Sequence, residues 1–121
     1  MNRPTDGPED CVFCRIAREE IPADVVYHDE GVVAFRDVNP QAPTHILVIP
    51  RRHVASVAAL GEDDGAEAGG LILAARRLAR DEGLEDQGYR LVINTGSQGG
   101  QTVDHLHLHL LGGRGMTWPP G

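Results

Sequence analysis

The sequence predicts an α+β fold, an antiparallel sheet with helices on one face. Three observations predict it. Short runs of β-branched and apolar residues recur with short turns between them. One long segment repeats its apolar residues at helical spacing. No strand–helix–strand alternation or internal repeat is visible. The 121 residues are read as one domain, large enough to bury a hydrophobic core. Residues 1–10 are polar and carry Pro4, Gly7 and Pro8, so disorder is expected there, with a single domain over 11–121.

In chain order, Cys11–Glu20 reads as a short helix with Phe13, Ile16 and Ala17 on one face, ended by Ile21-Pro22. Val25–His28 and Val32–Phe35 are β-rich, and Asp29-Glu30-Gly31 between them makes a hairpin. His28 is expected at its surface. Asp37–Thr44 holds two prolines and is a loop. His45–Pro50 is a continuous apolar run, read as a central strand. Asp63 or Asp64 can cap a long helix ending near Gly83, with Ala68, Leu71, Ile72, Ala75, Leu78 and Ala79 as its apolar stripe. Tyr89–Asn94 and Thr102–Leu111 are the last two strands, joined by a glycine-rich turn.

Composition narrows the function. The formal net charge is −7, and the chain has no lysine. Binding to DNA or RNA depends on clustered basic residues and is not expected. No apolar run is long enough for a membrane span and no signal peptide is visible, so a cytoplasmic protein is expected. Cys11 and Cys14, spaced C-x-x-C, point to metal binding or redox work and not to a structural disulfide.

The chemistry concentrates near the end. His105, His107 and His109 alternate with Leu106, Leu108 and Leu110. On a strand this puts the imidazoles on one face, about 7 Å apart, and the leucines on the other. That spacing is too wide for one ion on a straight strand, where Zn–N bonds are about 2 Å. Three separate jobs are expected. The turn Asn94–Thr102 before them is rich in glycine, whose backbone N–H groups can cradle an anion. An imidazole is also a competent nucleophile toward phosphorus near neutral pH.

The segment Gln101-Thr-Val-Asp-His105-Leu-His107-Leu-His109-Leu-Leu111 resembles the signature of the histidine triad superfamily. Cys11-Val-Phe-Cys14, Phe35–His45, Val48-Ile-Pro50, His53, Asn94 and Leu111–Gly121 resemble its branch of nucleotide-binding purine nucleoside phosphoramidases. The resemblance implies a five-stranded sheet extended across a homodimer and an AMP- or GMP-type ligand. His107 would be the nucleophile and His109 would contact the phosphate. His45 would face the same pocket, and Thr102, where the family usually has Ser, would sit beside the leaving group. Asn94 and Gln101 would bind the nucleotide, and Asp37 the ribose hydroxyls. Phe13, Val38 and Ile46 would line the base slot, and Trp118 would reach the partner subunit's site. Cys11, Cys14, His53 and His105 would hold a structural zinc; no organic cofactor is expected. From the residues alone, Asp37 and Asn94 also read as turn residues, Phe13 as core and Trp118 as an exposed tail residue. Dinucleoside polyphosphate hydrolysis, nucleotidyl transfer and a non-catalytic binding module remain as alternatives.

Overall fold

A computed structural model describes residues 8–121. The disorder expected over residues 1–7 lies outside the described residues. Residues 8–10 form a turn, closed by the Cys11 N–H donating to the Pro8 carbonyl at 3.1 Å. Helix α1 then spans Val12–Ala17, capped by Cys11, whose Sγ accepts the Cys14 N–H at 3.3 Å. It stops before Pro22 is reached. Glu19 adopts a left-handed φ of 62°, and the Glu20 N–H returns to the Arg15 carbonyl.

Strands β1 (Val25–His28) and β2 (Val32–Arg36) form the expected hairpin. Asp29 closes it by accepting the Gly31 and Val32 N–H groups at 2.8 and 2.9 Å, and His28 is exposed. Strand β3 (Thr44–Pro50) is buried along its whole length, as a central strand with two covered faces must be. Helix α2 runs Gly65–Asp81. Asp64 stands at its N-cap, but its carboxylate turns back to the Gly61 N–H at 2.7 Å and to Arg52 at 3.1 Å, so residues 62–64 form a 3₁₀ turn. Strand β4 is Tyr89–Ile93 and β5 is Leu108–Gly112, and the all-antiparallel sheet has the order β1-β2-β3-β5-β4.

Three expectations are corrected. The helices do not share a face of the sheet. Leu71, Ala74, Ala75, Leu78 and Ala79 of α2 pack on Ile46, Val48, Leu106, Leu108 and Leu110, whereas Phe13 and Ala17 of α1 pack on Val33, Phe35, Leu47 and Ile49 opposite. Ile72 leaves the α2 stripe for the exposed side, and Ala74 takes a core place. The last strand begins at Leu108 and not at Thr102. Residues 105–107 are drawn off the sheet because the Leu106 N–H donates to the Val54 carbonyl at 2.7 Å and the His105 ring bonds the Pro50 carbonyl at 2.9 Å. α1 is short and covers only the β2–β3 part of its face. The histidines emerge where that cover ends.

Candidate active site and metal centre

The alternation of the triad survives the loss of regular strand. Leu106, Leu108 and Leu110 enter the core under α2, so the three imidazoles face the α1 side. The His107 and His109 ring centres are 5.0 Å apart, and Phe13 packs edge-on against His107 at 5.1 Å and His105 at 5.9 Å.

Each histidine has its own partners. The His107 Nδ1 lies 2.7 Å from the His105 carbonyl. A carbonyl only accepts, so Nδ1 carries the hydrogen and Nε2 keeps the lone pair. His45 is fixed in the opposite sense. Its Nδ1 accepts the Gln41 backbone N–H at 3.0 Å, which leaves the hydrogen on Nε2. That Nε2–H points at His109 Nδ1, 2.9 Å away, with Asp37 Oδ2 a longer 3.5 Å. His109 then carries its own hydrogen on Nε2. Burial pushes His45 below the usual imidazole value, opposed by the Asp37 carboxylate. Burial, helped by the neighbouring His107 and His45, pushes His109 down to about 4. Near neutral pH His109 is therefore an uncharged hydrogen-bond donor. Asp37, His45 and His109 lie close enough to share an ion, but an Nε2 that carries hydrogen is not a ligand atom.

Two cavities meet at His109. One, of about 410 Å³, is walled by Val12, Phe13, Ile16, Phe35 and Leu47, with Asp37, Val38, Thr102 and His107 around it. The other, of about 340 Å³, lies toward β4 and is bordered by His45, Asn94, Arg90 and Arg114. Thus Phe13, Asp37, Val38, His45, Asn94, Thr102, His107 and His109 are brought together. Asp37 also acts as a turn residue, its Oδ1 accepting the Asn39 N–H at 2.8 Å.

Two predicted ligand residues, Ile46 and Gln101, are not brought in, and Trp118, expected at the partner subunit's site, lies outside this chain's own cavities. Ile46 is fully buried on the α2 face, so the β3 position on the slot belongs to Leu47, which shares His45's strand parity. Gln101 spends its amide on the loop: Oε1 accepts the Gly96 N–H at 2.9 Å, and Nε2 donates to the Ala55 and Val103 carbonyls at 2.7 and 3.0 Å. Trp118 is 81% exposed and lines neither cavity. Between Asn94 and Thr102, residues 95–101 of the glycine-rich turn border neither cavity. Gly99 is needed because a Cβ there would lie 2.3 Å from the Thr95 carbonyl oxygen.

A second cluster adjoins His107. Donor atoms of Cys11, Cys14, His53 and His105 all lie within 4.8 Å of one another. Cys14 Sγ is 3.3 Å from His53 Nδ1 and 3.5 Å from His105 Nδ1, and Cys11 Sγ is 3.4 Å from His105 Nδ1. His105 donates its Nε2–H to Pro50, which turns the Nδ1 lone pair inward, as a metal-bound imidazole requires. Burial pushes the Cys14 thiol up to about 12, so a thiolate there needs a cation beside it. Two sulfurs and two imidazole nitrogens are a donor set for a closed four-coordinate zinc site, and the residues present fit one.

The sequence pattern of the HIT domain matches residues 18–116. The chain belongs to the HIT domain family. It is 52% identical over 123 residues to the "14 kDa zinc-binding protein" of Zea mays, with 100% of this chain and 94% of that protein covered. Its fold superposes with a TM-score of 0.91 on a crystal structure described as a HIT family hydrolase from Legionella pneumophila, 54% identical, covering 93% of this chain and all of that one. A Zn-bound histidine triad family protein from Mycobacterium smegmatis superposes with a TM-score of 0.77 at 31% identity, covering 89% and 78%. The HIT domain of this chain thus has the α+β architecture read from its sequence. Among the described residues no helix is long and apolar enough to cross a membrane.

Proposed function

We propose that the chain is a nucleotide hydrolase that cleaves the P–N bond of purine nucleoside 5′-phosphoramidates through a nucleotidyl-histidine intermediate. The observation that carries the reading is the 2.7 Å contact of His107 Nδ1 with the His105 carbonyl, which commits Nε2 as the free nucleophile beside the cavities.

The base occupies the apolar slot around Phe13 and Leu47, and Asp37 accepts hydrogen bonds from the ribose hydroxyls. The α-phosphate lies at the junction of the two cavities. His107 Nε2 attacks phosphorus as the P–N bond breaks, and the amine leaves with a proton taken up beside the Thr102 hydroxyl. Water then attacks the phosphorus, releasing the nucleoside monophosphate and restoring His107. His109 donates Nε2–H to a non-bridging oxygen and stabilises the charge that gathers there.

Cys11, Cys14, His53 and His105 would hold zinc, a reading supported by the zinc-binding relative, the Zn-bound neighbour and the converging donors. The ion's role when bound is structural: it ties the start of α1 to the segments carrying His53 and His105. The edge strand β4 and the exposed Trp118 tail support a homodimer with Trp118 at the partner subunit's site.

The test is His107→Ala, assayed on adenosine 5′-phosphoramidate and on diadenosine polyphosphates, with intact-mass detection of the adduct. Turnover and adduct vanish while nucleoside monophosphate binding persists. Turnover retained in that variant sinks the covalent mechanism, and faster cleavage of the polyphosphates moves the substrate class.

A further inference from the structure

The two hydrogen bonds that fix His45 and His109 have a common support at the C-terminal end of the chain. Arg114, just beyond β5, donates its Nε–H to the Gln41 carbonyl at 3.0 Å and its Nη1–H to the Gly115 carbonyl at 3.0 Å. Gly113 beside it holds a left-handed φ of 91°, and a Cβ there would lie 2.8 Å from Pro43 Cβ. The tail therefore lies directly on the loop between β2 and β3. That loop has few other anchors. The Gln41 side chain donates to the Asn39 carbonyl at 3.0 Å, and the Asp37 N–H reaches the His45 carbonyl at 2.9 Å. Arg114 ties Gln41 to the segment after β5, while the Gln41 N–H ties it to His45 on β3.

Gln41 works on both sides. Its carbonyl, in the peptide to Ala42, receives Arg114, and its N–H, in the peptide from Pro40, donates to His45 Nδ1. From there the His45 Nε2–H meets His109 Nδ1. The order is thus Arg114, Gln41, His45, His109. The first two links run in one direction only, because a carbonyl accepts and a backbone N–H donates. Losing the Gln41–His45 bond frees His45 to carry hydrogen on Nδ1, which reverses the His45–His109 link and exchanges which His109 nitrogen carries hydrogen. The unprotonated nitrogen would then face the phosphate, and two lone-pair sites would meet where one donor and one acceptor are needed.

We propose that Arg114 is a positioning residue: by holding Gln41 through its carbonyl it keeps the Gln41 N–H on His45 and thereby fixes the His45 and His109 tautomers, so that His109 presents an N–H to the phosphate. The proposal rests on the reading of His109 as the phosphate donor. Arg114 itself touches no reacting atom in this account.

The experiment compares wild type, Arg114→Gln and Arg114→Lys by ¹⁵N spectroscopy of the histidine rings without ligand, and by kcat and KM on adenosine 5′-phosphoramidate. In the wild type, His109 shows hydrogen on Nε2 alone. In Arg114→Gln the ring signals report two exchanging tautomers, and kcat falls about tenfold with KM little changed, the scale of one lost hydrogen bond. Arg114→Lys, which keeps a cationic donor, recovers most of both. An unmixed His109 tautomer in Arg114→Gln overturns the proposal, and so does an equal loss in Arg114→Lys. If Arg114→Gln does not fold, the wild type decides: hydrogen on His109 Nδ1 overturns the clamp, and hydrogen on Nε2 with rescue by Arg114→Lys supports it. The ring measurement needs no substrate. A wild type without turnover on any nucleotide therefore counts against the proposed function and leaves the clamp to the spectra.

Discussion

Neighbouring residues Ile46 and Leu47 on β3 should separate stability from ligand binding. Ile46 is fully buried among the residues under α2, with Val48, Leu108 and Leu110. Leu47 is also buried, but it packs on Phe13 and Phe35 and walls the larger cavity. Ile46→Val removes one methylene from a close-packed core. The cost is about 1 kcal/mol, which lowers Tm by roughly 4 °C for a domain of this size. Nucleotide affinity should not change, because the deleted atom lies on the other side of the sheet. Leu47→Ala also destabilises, and in addition it opens the slot wall. Loss of that apolar contact with the base should weaken AMP about tenfold. The assays are urea unfolding for stability and titration calorimetry with AMP. The calorimetry must be run under conditions where each variant is fully folded. An Ile46→Val protein that binds AMP much more weakly, or a Leu47→Ala protein that binds it normally, would refute the assignment of the two faces.

Three further outcomes follow from the site. His109 falls from the ordinary imidazole value of 6.5 to about 4 on folding, so its contribution is complete above pH 6.5 and is lost as pH drops toward 4. The shift sets an upper limit of about 3 kcal/mol, and the partial exposure of the ring reduces it to about 1–2 kcal/mol. His109→Asn should therefore lose less stability than wild type between pH 7 and 4.5 in matched urea titrations; parallel curves would count against the shift. Elemental analysis should find one zinc per wild-type chain and none in Cys14→Ala, with a chelator lowering the wild-type Tm and leaving the variant unmoved. Gln101→Ala should raise amide exchange over residues 95–103 through loss of three hydrogen bonds, while AMP affinity stays within about twofold; a large affinity loss would restore Gln101 to the ligand shell.

Features set by local periodicity were legible in the sequence. β-Branched runs such as Val32–Phe35 mark strands wherever they pair, and β2 appears within one residue of its expected end. The His–Leu alternation needs only an extended chain, so it survives although residues 105–107 leave the sheet. Features set by competition between distant groups were not legible. The last strand is cut short by Pro50 and Val54, about fifty residues away in sequence, which claim the His105 ring and the Leu106 N–H. Ile72 and Ala74 exchange roles because the stripe of α2 is decided by which positions meet the sheet beneath it, not by hydropathy alone.

The site divides along the same line, with one difference. Side-chain chemistry showed which residue types gather, and strand parity already contained the correction at β3: if His45 faces the slot, Leu47 does and Ile46 cannot. The groups that set the hydrogen positions are of another kind. The carbonyl of His105 leaves the free lone pair on Nε2 of His107, and the N–H of Gln41, through His45, puts the hydrogen of His109 on Nε2. Both are backbone groups: any residue supplies the carbonyl and any residue except proline the N–H, so residue identity carries almost no signal for them. Their direction depends on what anchors the peptide: the side chain of His105 in the Cys–His cluster, and Arg114 on the Gln41 carbonyl. The Cys–His cluster and the tail clamp are thus parallel devices. Each converts a side-chain anchor into the orientation of nearby backbone groups, and those groups into the proton position of one histidine at the cavities.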